Sequence, residues 1–494
     1  MPERAARQGG EREDSRGRST RQKRGRAERK ESETNMGLEN AKRQKSEQLE
    51  LPLIYRGETP NGQRSVEALT AAHGEKRSSN EQLMEQVVAE GNMLAALKRV
   101  RRNKGSPGID GMSVEELTDY MVVNWSRIRQ ELLAGNYQPQ SVKRVEIPKN
   151  SGGVRQLGIP TAVDRMIQQM VLNVLQPVFD PTFSEHSYGF RPGRSAHQAV
   201  KAARWYMQEG RKWVVDIDLE KFFDRVNHDI LMSRLAWRIK DKRMLGLIRR
   251  YLEAGVLAQG VVVERWEGTP QGGPLSPLLA NVLLDEVDKE LERRGHAFVR
   301  YADDGNVYVK SKRAANDVME TLKRLYAGLK LKINETKSGI TSIRNSQYLG
   351  FGFWTAKGKT VKCRVAPKAL RAMKERVRRI TSRTGGRSLE QTAKELKAYL
   401  TGWKEYFLLA ETPGIFAELD GWIGRRLRMV RLKQWKRGKT IFRGLRAAGA
   451  GVRGAASSAA CQRSWWKMSK TSAVHIALPD SYFAKLGVPK LAEV

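Results

Sequence analysis

The spacing of apolar positions changes along the chain, and the first clear pattern begins at Glu81. Large apolar residues then recur at helical spacing and end in a basic run, Lys98–Arg102. A turn-rich stretch occupies residues 103–111. Ser113, with Glu116 three residues later, has the pattern of a capping box and predicts the start of the next helix.

Shorter segments in the middle of the chain have the character of strands. Val142–Ile147 and Gly153–Ile159 alternate like a hairpin, and Trp213–Leu219 is apolar enough for a buried strand. Phe298–Ala302 and Asn306–Val309 flank an Asp-Asp-Gly sequence and predict a second hairpin with its turn at those three residues.

Helical patterns dominate elsewhere. Ser276 and Pro277 predict a helix start, with serine as the N-cap and proline at the first helical position. Apolar residues between Leu389 and Phe407 recur at three-, four- and seven-residue intervals, which is typical of a helix packed in a bundle. The next apolar face ends in a basic cluster, which predicts a nucleic-acid contact: Arg425, Arg426, Arg428, Arg431, Lys433, Lys436 and Arg437.

The distribution of charge narrows the choice of partner. The formal net charge is +36, and residues 357–470 alone carry 29 Lys or Arg against 7 Asp or Glu. Lysine and arginine on such a segment favour a polyanion, because they displace the counterions of phosphates. Residues 1–50 mix 14 basic with 10 acidic residues and few large apolar ones, which predicts disorder.

Other features exclude several classes of protein. The two cysteines, Cys363 and Cys461, are too few for a disulfide framework or a zinc module. No apolar run approaches the roughly 20 residues of a membrane span, and the polar N-terminus does not resemble a secretory signal. We therefore expect a cytoplasmic protein with no membrane partner.

Acidic residues interrupt two of the predicted strands. Asp303 and Asp304 lie at a predicted turn, and Asp216 and Asp218 share one face of a strand. Adjacent carboxylates repel one another unless a cation neutralises them, although an Asp-Asp-Gly turn can also serve the backbone alone. Asp218, Asp303 and Asp304 would supply the carboxylates from separate strands that a two-metal phosphoryl-transfer site needs.

Eight sequence blocks resemble the reverse transcriptases of bacterial group II introns, and they occur in that family's order. The blocks are NKGSPGIDG (103–111), IPKNSGGVRQLGIPTAVDRMIQQ (147–169), SYGFRPGRSAHQAV (187–200), VVDIDLEKFFDRVNH (214–228), GTPQGGPLSPLLANVLLDEVDKEL (268–291), RYADDGNVYV (300–309), LKINETKSGI (331–340) and YLGFGFW (348–354). The segment LTGWKEYF (400–407) resembles the family's thumb, or maturase, domain.

The resemblance implies an α+β fold shaped like a right hand. Fingers and an antiparallel palm would occupy residues 76–365, and a helical thumb or maturase domain would occupy residues 366–494. Residues 1–75 would form an N-terminal extension and linker that resemble nothing in the family.

The resemblance also assigns the catalytic residues. Asp218, Asp303 and Asp304 would be the catalytic carboxylates and would hold two Mg²⁺ ions. Phe223 matches the residue that packs under the incoming sugar and excludes a 2′-hydroxyl, although it could instead be a core residue beside Phe222.

Further family positions imply contacts with the nucleotide. Lys149 and Arg155 match fingers residues that hold the triphosphate, and Gln271 matches a residue near the nucleotide 3′-hydroxyl. Gly272 would let the backbone approach the primer, and Lys337 resembles a charged residue near the phosphates.

The implied function is that of an RNA-directed DNA polymerase that binds its group II intron RNA, assists its splicing and copies it for mobility. The implied partners are that RNA, an RNA template with a DNA primer, target DNA, deoxynucleoside triphosphates and, optionally, a second copy of the chain. The paired cysteines and histidines of the family's endonuclease module have no counterpart, as in the group IIC branch, so we expect no cleavage of target DNA. Two alternatives stay open: a splicing cofactor whose polymerase activity is dispensable, and a reverse transcriptase recruited to host defence or repair.

Overall fold

The computed structural model describes residues 82–148, 154–258, 261–263, 266–461 and 464–493, so the predicted 1–75 extension lies outside the described residues. The helices are α1 Leu83–Val87, α2 Glu90–Arg102, α3 Leu117–Leu133, α4 Ala162–Phe179, α5 Ala196–Gln208, α6 His228–Ala236, α7 Lys242–Glu253, α8 Ser276–Arg293, α9 Lys312–Gly328, α10 Pro367–Ile380, α11 Leu389–Tyr406, α12 Pro413–Trp435, α13 Gly438–Ala447, α14 Val452–Ala460, α15 Trp465–Met468, α16 Ser472–Ala477 and α17 Asp480–Lys485. The strands are β1 Val142–Pro148, β2 Val154–Ile159, β3 Trp213–Ile217, β4 Val256–Ala258, β5 Val261–Val263, β6 Ala297–Tyr301, β7 Asp304–Val309, β8 Gly339–Ser342, β9 Gln347–Tyr348, β10 Phe351–Thr355 and β11 Val361–Val365.

A four-stranded antiparallel sheet of order β6–β7–β3–β8 lies at the centre of the fold. Alternate residues of a strand point to opposite sides, and in this sheet the residues on both sides are buried. Val215 and Ile217 belong to a core shared with the N-terminal helices and the palm helices α6–α9. Val214 and Tyr308 belong to a second core on the other face. The predicted α+β fold with an antiparallel palm is confirmed.

A second four-stranded sheet, of order β2–β1–β4–β5, lies within the residues predicted to form the fingers and palm. β1 and β2 pair antiparallel, from Lys143 opposite Ile159 to Pro148 opposite Val154, as expected for the hairpin. Helix α4 follows directly, and the Thr161 side chain caps it by accepting from the Asp164 backbone N–H. Residues 149–153, between the two strands, lie outside the described residues.

The C-terminal helices pack on the palm and share its second core. The predicted apolar stripe of α11 is buried at Leu389, Leu396, Leu400 and Trp403. A small antiparallel sheet of order β11–β10–β9 contributes Phe351 to the same core, and so connects the palm to this helical region.

Several predicted helix starts are corrected. Ser113 and Glu116 do form the reciprocal capping-box hydrogen bonds, but residues 114–116 are a turn and α3 begins at Leu117. Ser276 is the first residue of the helix and not its N-cap. Its hydroxyl donates to the Pro270 carbonyl at 2.7 Å and does not cap the helix. In the described part of the chain, no helix is long and apolar enough to cross a bilayer.

Candidate active site

The turn between β6 and β7 carries the adjacent carboxylates. Tyr301 pairs with Asp304, so the turn consists of Ala302 and Asp303 rather than of the predicted Asp-Asp-Gly. Ala302 has φ of 59°, a left-handed conformation that costs energy for any residue with a Cβ. Such a conformation persists only where the surroundings hold it.

A buried network holds this turn. The Arg300 guanidinium donates to both carboxylate oxygens of Asp288 in α8, at 2.5–2.9 Å. Its Nη1 also donates to the Ala302 carbonyl and to Asn281 Oδ1, each at 2.9 Å. Asn281 Nδ2 in turn donates to the Gly189 carbonyl at 2.9 Å. The network therefore joins α8, the turn and the loop that contains Gly189.

Asp218 follows β3, and the segment that leads into β8 fixes its backbone. Its N–H donates to Ser338 Oγ at 2.9 Å, and its carbonyl accepts from the Asn334 N–H at 2.8 Å. Lys337 Nζ donates to Asp218 Oδ2 at 2.8 Å. Lys337 therefore lies beside a predicted catalytic carboxylate, as a residue near the phosphates would.

The other two carboxylates, Asp216 and Asp304, are half-buried on the same side of the palm sheet. Burial, followed by repulsion from Asp218, raises the pKa of Asp216 to about 6. Burial, followed by Asp216, Asp303 and then Asp218, raises the pKa of Asp304 to about 7. Oriented to satisfy its neighbours, the Asn306 amide donates to Asp216 Oδ1 at 2.9 Å. Asp216 is thus both hydrogen-bonded and part of the acidic cluster.

A polar cavity of about 430 Å³ brings most of the predicted site residues together. Its lining includes Asp218, Asp303, Phe223, Gln271 and Lys337. Asp304 does not line the cavity. Lys149 and the side chain of Arg155 lie outside the described residues, so their roles stay predictions.

The cavity lining contains polar residues that the sequence analysis did not select, among them Gln156 and Asn334. Gln156 lies on β2, and Asn334 binds the Asp218 backbone. Both occur inside blocks that resemble the family, but the sequence offered no chemical reason to select them. Their role depends on contacts between distant parts of the chain.

The two neighbouring phenylalanines have different surroundings. Phe222 is buried in the first core, whereas Phe223 is half-buried and both line the cavity. Their rings meet edge to face with centroids 5.1 Å apart. The Phe223 carbonyl accepts from the Thr269 N–H at 2.7 Å, which ties it to the loop that carries Gln271. The sugar-gate role of Phe223 stays a prediction.

Gly272, in the loop that carries Gln271, allows another stretch of backbone to approach closely. In the structure, that backbone is β2 at Gly158. Gly272 has φ of 146°, and a Cβ there would lie 2.5 Å from the Gly158 carbonyl oxygen. The Gly158 N–H donates to the Gln271 carbonyl at 3.0 Å. The predicted approach of this backbone to a primer stays a prediction.

The predicted basic cluster of the thumb does not form one exposed surface. Lys436 and Arg437 are exposed, but Arg428 is buried, with Nε donating to the Leu478 carbonyl and Nη2 to Asp480. Arg428 therefore anchors the C-terminal helices and does not present its charge to a phosphate backbone. The four others are half-buried: Arg425, Arg426, Arg431 and Lys433.

The acidic cluster suits a hard divalent cation. Four carboxylates lie on two neighbouring strand ends, and burial, followed by repulsion from neighbouring carboxylates, raises the pKa of both Asp216 and Asp304. Lys337 forms an ion pair with Asp218. Within the described ranges, no three His, Cys, Asp or Glu side chains converge as ligands of one ion.

Carboxylates at the end of an antiparallel sheet, beside a polar cavity, are an arrangement compatible with two-metal phosphoryl transfer. Sequence comparison gives the family. Residues 147–353 match the profile "Reverse transcriptase (RNA-dependent DNA polymerase)", and residues 370–449 match "Group II intron, maturase-specific domain". The chain belongs to the reverse transcriptases that carry a group II intron maturase domain.

Two curated relatives and one solved structure illustrate the similarity. Protein YkfC of Escherichia coli (strain K12) is 34% identical over 280 residues, which is 49% of this chain and 73% of YkfC. The group II intron-encoded protein LtrA of Lactococcus lactis subsp. cremoris is 32% identical over 320 residues; the match spans 51% of this chain but only 52% of LtrA. A partial Cas6-RT-Cas1–Cas2 complex has 26% identity and a TM-score of 0.33, covering 50% of this chain and 42% of that one.

Proposed function

We propose that the protein extends a DNA primer on an RNA template, and that Asp218 and Asp303 are the catalytic carboxylates. The observation that carries this proposal is their common cavity. Asp218 follows β3, Asp303 lies in the β6–β7 turn, and both face the space lined by Phe223 and Gln271. Contributions from two separate strands are what an in-line displacement at a phosphate needs.

The chain's own residues have distinct roles in this mechanism. Asp218 and Asp303, with Asp304 behind them, would hold two Mg²⁺ ions, which stabilise the charge that develops on the transferring phosphate. Phe223 excludes a ribose 2′-hydroxyl by filling the space beneath the sugar. Lys337 supplies positive charge beside Asp218, where the triphosphate would lie.

We further propose that the protein binds structured group II intron RNA through residues 366–494. The maturase-specific match lies inside this segment, and the segment contributes much of the excess positive charge. Assistance in splicing, copying of the intron, contact with target DNA and self-association follow from the family resemblance as further predictions.

Primer extension with deoxynucleotides and Mg²⁺ on a defined RNA template tests the polymerase proposal. Asp303→Asn removes the charge while keeping the side-chain shape, and we expect it to abolish extension. Asp317→Asn changes an exposed aspartate of α9 in the same way and serves as the matched control. Full extension by Asp303→Asn would refute the assignment. Absence of extension by the parent, with tight RNA binding, would favour the splicing-cofactor alternative.

A further inference from the structure

A second pocket is lined by residues of the region that matches the maturase domain and by Ser464 and Trp466, which follow that region. It shares no lining residue with the polymerase cavity. Its volume of about 330 Å³ lies near the lower end of small-ligand pockets, which are roughly 300–1,000 Å³. It is lined by two tryptophans and three arginines, with Met429 buried among them: Trp422, Trp466, Arg378, Arg383 and Arg426.

The arginines of this pocket concentrate positive charge without a carboxylate. Arg426 Nε donates to Thr381 Oγ1 at 2.8 Å, and its Nη2 donates to the backbone carbonyls of Arg378 and Thr381. Burial, followed by repulsion from Arg378 and Arg383, lowers the pKa of Arg426. No ion pair joins the three arginines to any acidic residue that the structure describes. An anionic group would therefore be favourable here.

The tryptophans present aromatic surface beside this charge. Arg425 stacks on Trp466 with its Cζ 3.6 Å from the ring centroid, and its Nη2 donates to the Trp466 carbonyl at 2.8 Å. Arg378 and Arg426 flank Trp422 at 5.7 and 5.9 Å. These contacts hold the indoles in place before any ligand arrives. Both tryptophans are half-exposed, so part of each indole is accessible.

We propose that this pocket binds one unpaired nucleotide of a structured RNA, with the base against tryptophan and the adjacent phosphates on the arginines. This inference rests on the proposed RNA binding and names the RNA element that is recognised. A paired base cannot provide such a contact, because its faces are stacked within the helix, whereas bases in bulges and loops can be stacked on aromatic side chains. The cationic walls suit the phosphates that flank such a base.

Fluorescence binding with the full-length chain tests this proposal. The probe is an RNA hairpin that carries 2-aminopurine as a single-nucleotide bulge, and the same hairpin with 2-aminopurine paired is the reference. We expect the parent to bind the bulged RNA about tenfold more tightly, since one base stacked on an aromatic ring contributes about that much. We also expect the emission of the bulged base to change when the parent binds.

Arg378→Gln with Arg383→Gln removes two exposed pocket charges, and we expect it to abolish the preference for the bulge. The control is Lys368→Gln with Arg371→Gln, which removes two exposed charges outside the pocket from α10, the helix that also carries Arg378. That control should weaken the binding of both RNAs equally. Trp422→Leu should also abolish the preference, and Trp422→Phe, which keeps an aromatic face, should restore most of it.

Equal losses on bulged and paired RNA, or unchanged 2-aminopurine emission, would overturn the inference and make the pocket part of a general phosphate-binding surface. Primer extension on an unstructured RNA template is measured in parallel, and the pocket variants should extend like the parent. If the parent extends the primer but shows no preference for the bulged RNA, only the pocket proposal is refuted. Failure of the parent to extend sinks the polymerase proposal, while the bulge comparison still decides the role of the pocket.

Discussion

Gly189 packs directly against Ala302, so closely that a Cβ at position 189 would lie 2.2 Å from the Ala302 nitrogen. The contact places a loop glycine under the turn that carries Asp303. The same glycine accepts a hydrogen bond from Asn281, and through Asn281 it joins the network around Arg300. The position of the turn that carries Asp303 therefore depends on a residue without a functional side chain.

Gly189→Ala should displace the turn and impair catalysis more than stability. Overpacking a tight contact costs about 1–3 kcal/mol of unfolding free energy, but a shift of about 1 Å at the reacting groups can lower the rate about 100-fold. Primer-extension kcat and urea unfolding would be measured together. Gly328→Ala, where a Cβ meets nothing within 4 Å, is the control. An unchanged kcat for Gly189→Ala would show that the turn adjusts freely.

The ion pair beneath the turn should be important for stability. Arg300 and Asp288 have side chains only 4% and 2% exposed, so removal of one partner leaves a buried charge without compensation. We expect Asp288→Asn to lower the unfolding free energy by about 3–5 kcal/mol. Glu320→Gln removes a solvent-exposed ion pair with Lys323 and should change stability little. Denaturant titration of both variants makes the comparison, and equal stabilities would contradict it.

The sequence predicted the central strands and the acidic cluster because both are local patterns. Apolar runs such as Trp213–Leu219 identify buried strands, and the carboxylates that interrupt them are visible in the chain. The support network could not be predicted in this way. Arg300, Asn281 and Gly189 meet only after folding, and an arginine in a sequence resembles a surface residue until its partner is known. The same reason explains why Arg428 was assigned to the nucleic-acid surface.

The ion pair between Lys337 and Asp218 should affect the Mg²⁺ concentration that primer extension requires. Lys337→Met removes the cation that lies 2.8 Å from the carboxylate, so Mg²⁺ no longer competes with it. We expect the Mg²⁺ concentration for half-maximal extension to fall and the KM for deoxynucleotides to rise about fivefold, since an exposed charge contact contributes modestly. Lys332→Met, which removes an exposed lysine 3.6 Å from Glu220, is the control. If neither the Mg²⁺ concentration for half-maximal extension nor the KM for deoxynucleotides changes, Lys337 does not act in the site.

Phe223 and Phe222 should separate sugar selection from stability. Phe223→Ala should allow incorporation of ribonucleotides, because it removes the half-buried ring at the cavity. Phe222→Ala should instead cost about 3–5 kcal/mol of unfolding free energy, since that residue is only 2% exposed. Ribonucleotide incorporation relative to deoxynucleotide incorporation is measured for both variants. If Phe223→Ala still rejects ribonucleotides like the parent, the gate assignment is wrong.

Arg428 and Arg437 should divide the thumb cluster into a structural part and an RNA-binding part. Arg428→Gln loses hydrogen bonds to the Leu478 carbonyl and Asp480, so we expect about 1–3 kcal/mol of destabilisation. Its effect on the salt dependence of RNA binding should be small. Arg437→Gln removes an exposed charge and should reduce the slope of log affinity against log salt by about one, without loss of stability. If Arg428→Gln instead reduced the salt dependence of RNA binding without loss of stability, the C-terminal helices would have to detach from α12 so that Arg428 reaches the RNA.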